Sequence, residues 1–368
     1  MTIAFLFPGQ GSQVVGMGRA LADAFPEAKA AFAEADDALG FALTDVMWNG
    51  PEDALEATEN AQPALLAHSV AALRVVAARG VTPAFAAGHS LGEYSAHVAA
   101  GSLAFADAIR LVRRRGELMA EAGRVRPGAM AAILGLPGDA VETACASVSA
   151  AGGGTVVPAN FNSPGQVVIS GELDAVEAAM VACKDAGAKR AIRLPVSGAF
   201  HSPLMGPASE GLVAALAAVP VNDARCPVIA NVDAQPVTNA ADIRDRLGRQ
   251  LLGAVRWEES MRHLVAAGTG AFVELGAGKV LRGLLRQGLR NDVLRRPQRV
   301  EAIRLALEQR DHVGPRGARL ARRCEPALVA DDRRYRHAEQ IPDDHPDDHD
   351  ARSCPDRVRD PIQKLSHV

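Results

Sequence analysis

The chain has 368 residues, 48% hydrophobic but only 4% aromatic, and a formal net charge of −3. That length suits a large domain plus a small one around an aliphatic core, and the near-neutral charge makes no electrostatic case for nucleic acid or a membrane surface as partner. No apolar run approaches the roughly 20 residues that span a bilayer, no basic start with a long apolar stretch marks a secretory leader, and Cys145, Cys183, Cys226, Cys324 and Cys354 form no CxxC pair. Neither a disulfide framework nor a zinc site is therefore expected, and a reduced cytoplasm fits best.

Residues 2–7 are a short apolar run ending at Pro8-Gly9-Gln10-Gly11-Ser12-Gln13. The pattern predicts a buried strand entering a glycine-rich loop, which reads either as a plain strand-to-helix turn or as a ligand loop at the end of a central strand. Residues 61–80 read as a helix, 81–87 as the next strand and 91–100 as the helix after it. Alternation of this kind predicts a parallel sheet covered on both faces. At the junction stands Gly88-His89-Ser90-Leu91-Gly92-Glu93-Tyr94. Gly-x-Ser-x-Gly between strand and helix is the signature of a nucleophile elbow, which exposes the serine hydroxyl and leaves the next backbone N–H free for an oxyanion. Alone it arises by chance in roughly one chain of this length in ten, so its surroundings must decide.

Wound at about 100° per residue, residues 105–122 place Ile109, Leu111, Val112, Gly116, Leu118 and Met119 on one face, with Arg115 in the middle of it. Arginine is almost never fully buried without a partner. The partner is either a structural carboxylate or a carboxylate of the substrate, which a guanidinium grips with two parallel hydrogen bonds.

Residues 129–136, 156–161, 166–170 and 189–194 read as strands, and 139–150 and 173–186 as helices. The order β-α-β-β-α-β predicts a ferredoxin-like unit. The expected architecture is α/β: an α/β-hydrolase-like catalytic domain from residues 1–127 and 195–290, interrupted by a ferredoxin-like domain at 128–194. Residues 291–368 are rich in arginine, aspartate, histidine and proline and contain no phenylalanine or tryptophan. They read as a disordered tail or, preferably, as out-of-frame translation of a GC-rich gene. The Asp/His run at 343–350 is expected to be a solvated charge run rather than a metal site.

A serine needs a neighbouring base. His68 and His97 fall within helices and read as structural, while His89, beside the nucleophile, can line the pocket. His201, in a proline-bounded loop after a strand, is the best base by elimination.

Together these residues resemble the malonyl-CoA:acyl carrier protein transacylase family, over about residues 1–287. The resemblance rests on Phe7-Pro8-Gly9-Gln10-Gly11-Ser12-Gln13, the Gly88–Tyr94 motif, Arg115-Gly116, Asn160-Phe161-Asn162-Ser163-Pro164-Gly165-Gln166, Gly198-Ala199-Phe200-His201-Ser202, Gln250-Leu251 and Glu274-Leu275-Gly276. It implies Ser90 as nucleophile, His201 as general base, the N–H groups of Gln10 and Leu91 as oxyanion hole, and Arg115 as clamp on a malonyl carboxylate. It also implies that the Gln250 carbonyl orients His201, that Asn160 and Asn162 line the pocket, and that Phe200 disfavours an α-methyl branch. The implied partners are malonyl-CoA and holo acyl carrier protein, the CoA thioester being a substrate, with no metal or other cofactor. Carrier proteins are acidic, so Lys189 and Arg190 are candidate guides. A monomer is expected. A polyketide acyltransferase, a serine esterase or thioesterase, and a non-catalytic carrier-docking module are the alternatives.

Overall fold

β1 (Ile3–Phe7) forms because five apolar residues in a row suit a strand covered on both faces. It leads through the glycine loop to α1 (Arg19–Ala24), α2 (Pro26–Leu39), α3 (Leu43–Asn49), α4 (Glu52–Glu56) and α5 (Thr58–Ala77). Next come β2 (Phe85–Gly88), α6 (Gly92–Ala100) and α7 (Phe105–Val125). The segment β3 (Ala129–Leu134), α8 (Gly138–Ala150), β4 (Val156–Ser163), β5 (Gln166–Gly171), α9 (Leu173–Asp185), β6 (Arg190–Arg193) follows. The chain continues with α10 (Gly206–Ala217), β7 (Val228–Ile229), β8 (Pro236–Val237), α11 (Ala240–Gln250), α12 (Trp257–Ala266), β9 (Ala271–Glu274) and α13 (Val280–Arg290). This computed structural model describes residues 2–290 apart from Ser197, and the expectations for residues 291–368 lie outside the described residues.

The protein is mixed α/β with two sheets. In the larger, ordered β8-β7-β2-β1-β9, β1 pairs in parallel with β2 and β9, β2 with β7, and only β8 runs antiparallel. β7, β2 and β1 are therefore neighbours whose C-terminal ends open side by side, the usual place for a ligand crevice in such sheets. The strand expected at 81–87 is confined to Phe85–Gly88. Pro83 has no N–H for the ladder and holds the strand start back.

The second sheet, ordered β4-β5-β3-β6, is antiparallel throughout. It has its own core, in which Ile133, Ile169, Val141, Val176 and the free thiols Cys145 and Cys183 are buried. Its β4 is tied to the segment before α12: Phe161 N–H donates to the Val255 carbonyl at 2.9 Å, and Val255 N–H to that of Ala159 at 2.8 Å.

α5 and α7 pack against each other and supply much of the large core. Pro63 lies inside α5, and its missing N–H leaves the Glu59 carbonyl unpaired in the helix. Arg113 of α7 donates to that carbonyl at 3.1 Å. Gly116 permits the contact, since a Cβ there would lie 2.7 Å from the Thr58 carbonyl oxygen and Glu59 Cα. Glu274 closes the sheet's far edge: its two carboxylate oxygens each accept a backbone N–H, from Leu281 and Arg282 at 3.0 Å, at the start of α13.

Gly116→Ala should separate α5 from α7 and cost about 1–3 kcal/mol, as overpacking does. Calorimetry is expected to show a lower Tm, whereas Gly283→Ala, on an exposed and open face of α13, should leave Tm unchanged or raise it.

Candidate active site

The elbow is a steric necessity. A Cβ on Gly88 would fall 1.9 Å from the Gly92 backbone, and one on Gly92 would fall 2.2 Å from the Phe7 carbonyl oxygen. Between them Ser90 adopts φ 51°, a left-handed conformation rarely taken by a side-chain-bearing residue and concentrated at functional turns. His201 is strained in the same sense, at φ 56°.

All but one of the elbow's N–H groups from His89 to Tyr94 have partners among the described residues. His89 N–H donates to the Phe7 carbonyl at 3.0 Å and Ser90 N–H to Asn231 Oδ1 at 2.7 Å. Gly92, Glu93 and Tyr94 N–H groups donate to the carbonyls of His89, Ser90 and Leu91. Leu91 N–H makes no hydrogen bond among the described residues, and neither does Gln10 N–H in the loop after β1. The Gln10 side chain is held aside, accepting from Thr58 Oγ at 2.8 Å. Buried backbone donors are nearly always paired, so the free N–H of the buried Leu91 is available to an external acceptor.

His201 Nε2 lies 2.7 Å from Ser90 Oγ. Its Nδ1 lies 3.1 Å from both the Gln250 and the Gly253 carbonyl oxygens. Carbonyls only accept, so Nδ1 carries the hydrogen, Nε2 is the lone-pair nitrogen, and the Ser90 hydroxyl donates to it. Burial, and then the charge of Arg115, push the imidazole pKa down from 6.5 to about 3. The ring is thus a neutral base throughout the physiological range.

Arg115 is 1% exposed. Its Nη1 donates to Gln62 Oε1 at 2.6 Å, and its Nη2 to Ser90 Oγ and Gln250 Oε1, both at 3.1 Å. The guanidinium carbon lies 5.7 Å from the centre of the Tyr94 ring. It makes no ion pair among the described residues, so of the two partners expected for it, the structural carboxylate is not in contact.

The remaining polar atoms form one network. Gln250 Nε2 donates to the Ser90 carbonyl at 2.9 Å and to Glu93 Oε2 at 2.7 Å. Asn231 Nδ2 donates to the Gly88 carbonyl at 2.7 Å, so this one side chain, at the end of β7, holds both sides of the elbow. His89 Nε2 lies 2.8 Å from Asn162 Oδ1, linking elbow to β4. Asn160 is buried in β4 and its side chain bonds to none of these groups; Phe200 packs into the large core. His97 pairs with Ser102 and His68 packs on Phe32, both away from Ser90.

The sequence motifs assign no role to Gln62, Glu93 or Asn231. Gln62 carries the same signal as Arg115, a polar residue amid an apolar helical run. Asn231 is the first polar residue after a short apolar strand.

A family model described as the acyl transferase domain matches residues 4–322. The malonyl CoA-acyl carrier protein transacylase of Bacillus subtilis is 49% identical over 314 residues, covering 84% of this chain and 99% of the relative. The chain belongs to this acyltransferase family. The Escherichia coli K12 protein of the same description is 50% identical over 285 residues, 77% of this chain and 92% of that one. The family model runs past Gln287, so the resemblance extends further along the chain than the motifs alone place it. Among solved structures, an acyl carrier protein S-malonyltransferase from Vibrio cholerae is 49% identical with a TM-score of 0.76, over 79% of this chain and 94% of that one. A malonyl-transacylase solved in complex with a type II polyketide acyl carrier protein is 48% identical with a TM-score of 0.75, over the same shares.

The depressed His201 pKa fixes the sign of a pH effect. An ordinary imidazole protonates near pH 6.5, so a base of that kind loses activity as pH falls through it. Labelling of Ser90 by an uncharged sulfonyl fluoride should instead stay level from about pH 8 to pH 6. An acid limb centred on the ordinary imidazole value would contradict the assignment.

Proposed function

We propose that this chain transfers the malonyl group from malonyl-CoA to the phosphopantetheine thiol of holo acyl carrier protein, through a malonyl-Ser90 intermediate, in fatty acid biosynthesis. The observation that carries the reading is Arg115: a buried cation with no anionic contact, donating to the oxygen that would attack the acyl group. A carboxylate on the acyl group supplies an anion in direct contact with it.

In this reading Ser90 Oγ attacks the thioester carbonyl as its proton passes to His201 Nε2. The imidazolium is held in orientation by the Gln250 and Gly253 carbonyls, so no acidic third residue is required. The developing oxyanion takes the free N–H groups of Leu91 and Gln10, each such donor contributing about 3 kcal/mol to the transition state. CoA leaves as its sulfur takes the proton from His201. The carrier thiol then gives a proton to His201 and attacks the ester carbonyl, and Ser90 leaves reprotonated. Proton and acyl balances close without a metal or redox cofactor. Phe200, adjoining His201, crowds an α-methyl branch, a discrimination worth about 1–3 kcal/mol. His89, Asn160 and Asn162 complete the pocket wall on the side of β4.

The architecture read here is an α/β-hydrolase-like part, residues 1–127 and 195–290, with a ferredoxin-like insertion at 128–194. The strand order β4-β5-β3-β6 and the separate apolar core support it. Lys189 and Arg190 are exposed where β6 begins, and their charge suits an acidic carrier protein. We take the protein to act in the cytoplasm as a monomer; no helix of the described residues is long and apolar enough to cross a membrane.

Arg115→Ala removes a charge-assisted pair of hydrogen bonds, and kcat/KM for malonyl-CoA should fall about 10- to 100-fold. The preference for malonyl-CoA over acetyl-CoA should collapse with it. An equal loss for both donors would show that Arg115 only builds the site.

A further inference from the structure

Arg115 and Glu93 are the buried cation and the buried carboxylate of this site, each 1% exposed. They do not touch. The Gln250 amide stands between them, accepting from Arg115 Nη2 at 3.1 Å through Oε1 and donating to Glu93 Oε2 at 2.7 Å through Nε2. Glu93 Oε2 also accepts the Asn231 N–H at 3.2 Å. Glu93 Oε1 is buried with no hydrogen-bond partner among the described residues.

We propose that Glu93 is the resident counter-ion of Arg115, acting through the Gln250 amide, and that it takes up a proton when a carboxylate-bearing acyl group seats on Arg115. This rests on the reading of Arg115 as the acyl carboxylate's partner. In the free enzyme the ionised Glu93 balances the guanidinium. A ligand carboxylate makes two anions for one cation in a region closed to water, and like charges so placed cannot both stay ionised cheaply. The ligand carboxylate contacts the guanidinium directly, so Glu93 is the group that gives way. The proton comes from solvent and bonds to Oε1, where no existing hydrogen bond has to break. Burial already lifts the Glu93 carboxyl from 4.5 to about 7, so its proton exchanges near neutrality.

The other groups facing Glu93 do not replace it. Asp233, beyond Asn231 at the end of β7, is paired with Arg246 at 2.8 Å. Tyr94, on the same helix, is pushed up to about 12 by burial and stays neutral. Asn231 from β7 and Gln250 from α11 carry no charge. His201, the base, has Nδ1–H committed to two carbonyls, and it and His89, which bonds Asn162 at the elbow, are the competing proton acceptors.

The test titrates Ser90→Ala protein with malonyl-CoA in a calorimeter at about pH 7, in two buffers of different ionisation heat. The proposal expects the heats to differ by a fractional proton taken up per malonyl-CoA bound. The uptake should vanish in Ser90→Ala/Glu93→Gln and be absent when CoA, which lacks the acyl carboxylate, is the ligand. By linkage, Kd for malonyl-CoA in Ser90→Ala should tighten up to about tenfold between pH 8 and pH 6. This second readout holds even if the double variant does not fold. Buffer-independent heats with a flat Kd overturn the proposal while leaving the transferase reading intact. Uptake that persists with Glu93→Gln also overturns it and assigns the proton to one of the two histidines at the elbow. No saturable binding of malonyl-CoA in either buffer overturns both readings.

Discussion

A guanidinium in the middle of an apolar helix face is the constraint around which the site is built. Transferring such a charge out of water costs several kcal/mol even after the surroundings relax, and Arg115 is met by neutral oxygens rather than by a carboxylate. Each of those oxygens comes from a different segment. Gln62 reaches it because Gly116 lets α5 and α7 approach closely. Gln250 reaches it from the end of α11, and Ser90 from the elbow. The cation thus ties together α5, α7, α11 and the β2–α6 turn, with no carboxylate in direct contact with it at Ser90.

Gln250 serves two ends of the chemistry at once. Its backbone carbonyl fixes the imidazole tautomer, and its side chain joins Arg115, the Ser90 carbonyl and Glu93. Ser90, His201 and Arg115 are therefore tied into one network, and a shift in any of them disturbs the others. Burial sets the two titrating groups apart in opposite directions. His201 is kept neutral and ready to accept a proton, while Glu93 is lifted into the range where it gains or loses one.

Much of this was legible in the residues. The strand-Gly-x-Ser-x-Gly-helix order marked the elbow because the two glycines answer clashes with backbone, which no substitution elsewhere relieves. Arg115 stood out because helical periodicity put a charge where only apolar residues belong. The β-α-β-β-α-β order of the second sheet followed from alternating periodicities, each long enough to read. The network that supports these residues was not legible. Glu93 sits inside the elbow motif, yet only the turn of α6 shows its carboxylate pointing at Gln250. Asn231 follows a two-residue strand, too short to carry a period. Gln62 precedes Pro63, which reads as a helix breaker until Arg113 is seen to satisfy the carbonyl the proline leaves free.

The proposed transfer requires a covalent serine intermediate carrying a charged acyl group. Intact-protein mass spectrometry after brief mixing with malonyl-CoA, on wild type and Ser90→Ala, tests it most directly. A malonyl-sized mass increase on wild type alone, persisting until a thiol acceptor is added, is the predicted result. Free malonate and CoA accumulating with no lasting adduct would make the protein a hydrolase. An adduct of the same size on Ser90→Ala would place the acyl group on another residue and contradict the site described here.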